Sequence, residues 1–369
     1  MKVFQTLHAY PPYIPFFEKK YEVDSLSYEA HRKLLLEDRF YALHILQPCL
    51  ENTSEGFYTI WNYEKLQYKW AEEKGWHERD LKKILFAQIE EFKPDVFYTF
   101  SSDDFSKELL DEALDDRIIR ICWSAAPGRN KEIFKSYKTR LTNLPEDVQP
   151  ESLAGFRSDL FQPAFDPTMM DYAINEDRPI DLLFYGQYFV TGFDVRNKQL
   201  HELLAFKRDN PQLNIQLCLQ YKIKEKIYIN IPFIRRFFSK IEFPPAIVRE
   251  QSNPPLYGKE LYTALSKSKI VFNAGVDFSK NYKVNMRNFE VLGCGAHMIS
   301  DQGIYPNGFE MGKHFSTYEN MEDCLAKIKA LLQNDAKRKA IAKEGHRMVQ
   351  TQYSKKQQWE TFQQIVKSL

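Results

Sequence analysis

A chain of 369 residues, 43% hydrophobic and 27% charged, holds apolar material for two cores of ordinary size, and at roughly 150 residues per domain two domains are expected. The formal net charge of +1 removes the bulk electrostatic drive for wrapping nucleic acid, so no nucleic-acid partner is expected. No run of about 18 apolar residues is present to span a membrane, and the opening MKVFQTLHAYPPYIPFF lacks the charged and then apolar pattern of a signal peptide. The five cysteines, Cys49, Cys122, Cys218, Cys294 and Cys324, are odd in number and far apart, with no CxxC pair. A reducing, cytoplasmic setting is therefore expected, without a zinc or redox motif. Glycine is scarce, and ten of the 14 lie beyond residue 180. That half is expected to carry loops in which a backbone needs close approach.

In chain order, MKVFQTLHA reads as a short strand, followed by a Pro-Pro turn and an aromatic stretch from Tyr13 to Phe17. A helix is predicted over 26–37, and FYALHILQP (40–48) reads as a second strand. From Tyr63 to Phe92 the charged periodic pattern predicts two helices broken near Gly75. PDVFYTF (94–100) is a buried strand, 105–115 a helix, IIRICWS (118–124) a strand, TRLTNL (139–144) a short strand and SDLFQPAF (158–165) a loop. After a polar linker at Ile174–Arg178, a second series begins. PIDLLFYG (179–186) is a strand, RNKQLHELLAFKRD (196–209) a helix and NIQLCLQY (214–221) a strand. Beyond an irregular insert come GKELYTALSKS (258–268) as a helix, KIVFNAG (269–275) as a strand, KVNMRNFEVLG (283–293) as a helix and AHMISD (296–301) as a strand. Helices over 319–333, over 335–350 and from about 355 complete the chain. Strands alternating with helices of 10–15 residues predict two doubly wound α/β domains. They are assigned as 1–175 and 176–352, with 353–369 a terminal helix that folds back on the first. The carboxyl ends of their strands, where ligands sit on such sheets, would face each other across a cleft.

Chemistry is densest in NYKVNMRNFEVLGCGAHMISDQ, Asn281–Gln302. On a helical wheel, Lys283, Arg287, Glu290 and Cys294 share one narrow stripe, and apolar residues fill most of the rest, with Asn285 and Asn288 as polar exceptions. A helix buried on most sides satisfies such a stripe internally or turns it toward a ligand. The internal reading pairs Arg287 with Glu290, three residues on. The ligand reading has the cations face a diphosphate while Glu290 accepts from sugar hydroxyls.

This segment resembles the C-terminal half of the group-1 glycosyltransferases, in particular the branch that includes spore-maturation-type proteins. The resemblance rests on Val271–Gly275 (VFNAG), the R-x-F-E of Arg287–Glu290, the G-C-G turn of Gly293–Gly295 and the strand ending in Asp301. It continues through the stretch 308–349 and reaches upstream to DLLFYGQ, LQYKWAEEKG and FKPDVFYTF. It implies a GT-B fold of two Rossmann-like domains, with an acceptor site in the first and a nucleotide-sugar site in the second. It implies transfer of a sugar from a nucleoside-diphosphate sugar to a hydroxyl-bearing glycan, protein or lipid-linked acceptor. The family's donor-binding carboxylate maps onto Glu290, expected to hold the donor ribose. Retaining members carry a second Glu eight residues earlier, where this chain has Tyr282, so retention and inversion stay open.

Other residues are weighed singly. Gly186 ends a strand where a diphosphate can approach the backbone, with Gln187 and Arg196 nearby; the plainer reading is a turn. Asn273 and Gly275 end a strand at the same edge. His8, after the first strand, reads as a structural histidine, a catalytic base or a sugar contact. Asp103 and Asp104 follow PDVFYTF, as a general base for an acceptor hydroxyl or as caps of the helix 105–115. Trp123 packs in the core or stacks on a sugar ring. The insert 221–240 carries Lys222, Lys224, Lys226, Arg235, Arg236 and Lys240 among Ile, Tyr and Phe. It suits a solvated basic loop or peripheral contact with an anionic membrane. No DxD motif at a strand end suggests a metal, so neither metal nor cofactor is expected, the nucleotide sugar being a substrate. Two rivals stay open: a nucleotide-sugar epimerase on the same fold, and a degenerate transferase that only binds sugar nucleotide or glycan.

Overall fold

Apolar runs become parallel strands here where both of their faces can be covered. The computed structural model describes residues 1–125, 130–148, 151–189, 194–221, 244–274 and 281–369. The basic insert from Lys222 to Lys240, and Gly275, lie outside the described residues. The chain divides into two units, Met1–Ala164 with Lys355–Leu369, and Phe165–Ser354.

In the first unit, β1 (Val3–Leu7), β2 (Gly56–Ile60), β3 (Val96–Thr99), β4 (Ile119–Trp123), β5 (Thr139–Thr142) and β6 (Ser158–Leu160) form one sheet. Their order is β2-β1-β3-β4-β5-β6, every pair parallel. All five residues of β1 are buried, as for a strand covered on both faces. In the second unit, β7 (Ile180–Gln187), β8 (Ile215–Gln220), β9 (Ser268–Asn273), β10 (His297–Asp301) and β11 (Ser316–Tyr318) pair in parallel in the order β11-β10-β9-β7-β8. Each sheet starts at an inner strand, lays the next strand on one side and the rest on the other. The order thus reverses between β1 and β3, and between β7 and β9. Crevices for ligands open outside the carboxyl ends of the strands at such points.

The structure departs locally from several expectations. FYALHILQP is not a strand: it forms a 3-10 turn at Ala42–His44 and a short helix at Gln47–Leu50. The run is buried as its composition demands, but a short apolar run does not specify a strand by itself. The second strand is GFYTI, and its Gly56 is needed because a Cβ there would lie 2.2 Å from the carbonyl carbon of Pro48. The aromatic stretch after the Pro-Pro turn is the start of a helix, Tyr13–Lys20. SDLFQPAF contributes the edge strand β6, and the helix predicted over 283–293 begins only at Arg287. Asp103 and Asp104 do not cap the following helix, Lys107–Ala113: Ser106 does, accepting from Leu109 N. The two aspartates sit instead in a 3-10 turn at Ser102–Asp104.

The buried non-strand run has no ladder for its backbone groups, so turn bonds such as Ile45 N to Ala42 O and side chains satisfy them. The Gln5 amide donates to His44 O at 2.9 Å and accepts from Leu46 N at 2.9 Å. Lys355, at the start of the terminal helix Lys355–Lys367, donates to Ala42 O, Leu43 O and Ile45 O. His44 itself is 3% exposed, with the rings of Trp123 and Phe100 at 4.6 and 5.3 Å. Burial, and to a lesser degree the Lys355 charge, pull its pKa down to about 3. The unfolded chain takes up this proton near pH 6.5, whereas the folded chain refuses it, so stability is lost as pH falls from about 6.5 toward 3. Burial acts in the same sense on His31 and His297, each pulled to about 4. Denaturant midpoints measured from pH 7 to 4 should fall steadily. His44→Leu should flatten the slope by about 1.4 kcal/mol per pH unit, and an unchanged slope would refute the assignment.

Candidate functional site

The reversal between β7 and β9 is where charge accumulates. β7 ends in Gly186–Gln187, and Gly186 holds φ at 151°, a region that residues with a Cβ rarely enter. A Cβ at Gly186 would lie 2.7 Å from Arg196 Nη2 and 2.9 Å from Arg287 Nη2. Two guanidinium groups therefore converge on one point that only a glycine leaves open. Arg196 comes from the first turn of the helix Asp194–Asp209 and is 4% exposed. Its Cζ lies 5.6 Å from the Phe184 ring centre. Arg287, the first residue of the helix Arg287–Gly293, lies 5.2 Å from Phe184 and 5.1 Å from Tyr185. Aromatic faces compensate part of the lost hydration of such cations. Burial lowers the Arg287 pKa, while Tyr185 and Glu290 oppose the shift. Arg287 Nε is buried without a hydrogen-bond partner among the described residues.

An amide cluster aims Arg287. Asn273, the last residue of β9 and 1% exposed, accepts at Oδ1 from Arg287 Nη1 at 2.8 Å and from Asn285 Nδ2 at 3.0 Å. Its Nδ2 donates to Asn288 Oδ1 at 2.7 Å, and Asn288 Nδ2 donates to Lys283 O at 2.6 Å. Both ends of the Asn273 side chain are thus occupied, and Asn273 positions Arg287. Asn285 and Asn288, which the wheel left as polar exceptions, are the members of this cluster that sequence reasoning did not assign.

Glu290 is 7% exposed. Its Oε2 accepts from Tyr185 Oη at 2.6 Å, while Arg287 Nη1 turns to Asn273 and to Ala274 O at 3.1 Å. Burial raises the Glu290 pKa, and the Tyr185 hydrogen bond and the Arg287 charge counter it. Tyr185 was missed in the sequence; its place one residue before the strand-ending glycine was the available signal. Lys283 leaves the predicted stripe altogether. It precedes the helix, in an extended segment where Tyr282 bridges to Ile304, and its Nζ pairs with Asp301. Gln187 is half-buried at the end of β7. A hollow of about 340 Å³ lined by Ala173, Arg178, Gly295, Arg338 and Lys339 lies among residues preceding β7 and β10. Three of its cations are engaged: Arg178 on Leu265 O and Ser268 O, Arg338 on Asp335 and Lys339 on Glu176.

In the first unit, residues that follow the strands gather in the same way. His8 follows β1, Trp61 follows β2, and Ser101 lies just beyond β3. His8 Nδ1 is 3.1 Å from Ser101 Oγ, to which Trp61 Nε1 donates at 3.0 Å. Asp103 is exposed and Asp104 half-buried, close by in sequence. Trp123 packs on Phe100, with ring centres 5.6 Å apart and nearly parallel.

Two units of parallel sheet, each reversing at its first strand, with paired cations at one reversal, form the GT-B architecture. Residues 220–364 match a family described as glycosyl transferase-like, and the fold is GT-B, as in the solved structures that follow. HepE of Anabaena, solved with UDP and glucose, is similar in fold at 9% identity and a TM-score of 0.59, over 100% of both chains. The same protein solved with UDP-glucose gives 9% and 0.58. A glycosyltransferase from Rickettsia africae matches at 10% identity and a TM-score of 0.52, over 100% of this chain and 98% of that one. No curated protein matches the chain. The comparisons do not single out the spore-maturation-type branch.

Proposed function

We propose that this GT-B glycosyltransferase moves a sugar from a nucleoside-diphosphate sugar to a hydroxyl of a glycan, protein or lipid-linked acceptor. The observation that carries the reading is the convergence of Arg196 and Arg287 over Gly186. Two cations brought together in a partly desolvated corner repel each other, and a diphosphate placed there relieves that repulsion. As the glycosidic bond breaks, negative charge grows on the leaving diphosphate. Guanidinium groups already aimed by Asn273 and by aromatic faces would stabilise it without reorganising. Glu290, held by Tyr185, would accept from the donor ribose, with Gln187 at the end of the strand that carries Gly186. Uridine nucleotides are the donors to try first, since HepE was solved with UDP and with UDP-glucose.

The paired guanidiniums would supply the charge that a metal supplies elsewhere, so a chelator is expected to leave turnover unchanged. Five free, buried cysteines support a reducing, cytoplasmic location. Among the described residues no helix is long and apolar enough to cross a membrane. The sequence of 221–240 supports peripheral contact with an anionic surface while an acceptor is engaged.

Calorimetry with UDP and UDP-sugars tests the donor site. Arg196→Ala should weaken diphosphate binding roughly tenfold to a hundredfold, as expected for charge-assisted bonds of about 1.5–3 kcal/mol. Gly186→Ala should do the same by pushing both guanidiniums aside. Unchanged affinity in both variants would defeat the assignment. An epimerised sugar, or binding with neither hydrolysis nor transfer, would favour one of the two rivals.

A further inference from the structure

The other strand-order reversal, between β1 and β3, lies in the first unit, and its polar groups form a directed chain. His8 continues β1 past Leu7, and Trp61 continues β2 past Ile60, the residue paired with Leu7. Two bonds hold this edge: Trp61 N donates to Leu7 O at 3.2 Å, and Ala9 N donates to Asn62 Oδ1 at 2.8 Å. Ser101 lies two residues beyond β3 and is 2% exposed. Trp61 also packs on Phe105, ring centres 5.4 Å apart, so its indole is fixed before it makes its hydrogen bond.

The direction of the chain follows from what each group can do. An indole N–H only donates, so Ser101 Oγ accepts from Trp61. The Ser101 hydroxyl must then place its own proton. Among the described residues His8 Nδ1, 3.1 Å away, is the side-chain acceptor in hydrogen-bond contact with it. With Nδ1 accepting, a neutral His8 carries its proton on Nε2. The opposite tautomer would aim two N–H groups at one buried oxygen and leave the serine proton without an acceptor, which costs free energy in a buried place.

We infer that Trp61 and Ser101 hold His8 as the Nε2–H tautomer, so that His8 serves the transfer as a hydrogen-bond donor to a substrate oxygen and not as its general base. This rests on the transferase reading above for its functional half; the tautomer half stands on the geometry alone. The base of an inverting transfer is then to be sought at Asp103 or Asp104. Trp61 and Ser101 are positioning residues in this arrangement, since they reach substrate only through His8.

Two experiments decide it. Long-range proton–nitrogen NMR of the full chain labelled at histidine, with the His8 signals assigned by their loss in His8→Gln, reads the tautomer at neutral pH. The expected result is a protonated Nε2 and a bare Nδ1. Ser101→Ala should erase the preference and Ser101→Thr should restore it. A protonated Nδ1 in the wild-type protein would overturn the inference, whatever the protein catalyses. The kinetic arm compares His8→Gln with His8→Ala. The glutamine amide can donate where Nε2–H did but has no basic nitrogen, so kcat should stay within about tenfold of wild type in His8→Gln and fall further in His8→Ala. Equal losses of about 10²–10⁴-fold in both, the range of a missing general base, would refute the donor role. If no transfer or donor binding is found at all, the transferase reading fails while the NMR result still judges the tautomer.

Discussion

Glu290→Gln should lower donor affinity roughly tenfold to a hundredfold and leave the folded protein about as stable as before. The two outcomes separate because the carboxylate is not what neutralises Arg287 by direct contact. Arg287 Nη1 is bonded to Asn273 Oδ1 and Ala274 O, so removing the Glu290 charge leaves the guanidinium in its place. Stranding a directly paired buried cation would instead cost about 3–5 kcal/mol. The glutamine carbonyl can still accept from Tyr185 Oη, and a neutral amide escapes the burial that raises the Glu290 pKa. What is lost is the charge-assisted acceptor for ribose hydroxyls, worth about 1.5–3 kcal/mol per bond. Tyr185→Phe is the complementary variant. It leaves Glu290 in place but removes its O–H donor, so both stability and donor affinity should fall. Melting temperature and calorimetric affinity, measured together on the two variants, give the answer. A stable Glu290→Gln protein with unchanged donor affinity would remove Glu290 from the site.

The contrast between Arg287 and Lys283 shows what the sequence could and could not convey. Both fall on one wheel stripe, and the wheel assumes that the helix runs through both. In the structure Asn288 Nδ2 takes Lys283 O, and Lys283 N pairs with Ile304 O at 2.8 Å. These side-chain and long-range bonds hold the segment before Arg287 out of the helix. No local pattern announces the second of these bonds, because Ile304 lies in another turn of the chain. The strands around the site were readable for the opposite reason. KIVFNAG and DLLFYG are apolar on both faces and end in a glycine, a pattern with few alternatives in a doubly wound sheet. FYALHILQP has the same apolar content and a different fate, since Gln5 and Lys355 supply the hydrogen bonds that a ladder would have given. Asp103 and Asp104 as caps failed at closer range: Ser106, a residue of equal capping preference, stands nearer to the first turn.

Lys355→Met should destabilise the protein by about 1–3 kcal/mol. Lys355 is 4% exposed. Its ammonium donates to Ala42 O at 2.6 Å, Leu43 O at 2.9 Å and Ile45 O at 2.7 Å, with Gln358 Oε1 at 3.1 Å. Methionine matches the stem in length and saves the cost of burying a charge, but it removes a donor from three carbonyls of a buried non-strand segment and leaves Ile45 O without one. Each such group costs about 1–3 kcal/mol. Leu43 O keeps Gln358 Nε2 at 3.0 Å and Ala164 N at 2.9 Å, and Ala42 O keeps Ile45 N at 3.2 Å, while Ile45 O loses the donor described for it. The pH dependence offers a second check with a definite sign. The Lys355 charge is the smaller of the two causes that depress the His44 pKa, so its removal lets His44 accept a proton at less cost. The gap in stability between Lys355→Met and wild type should therefore narrow as pH falls below about 6.5. Denaturant titrations at pH 7.5 and 4.5 measure both effects. A loss under about 1 kcal/mol at neutral pH, or a gap that widens in acid, would mean that Lys355 does not hold the segment in the way its hydrogen bonds imply.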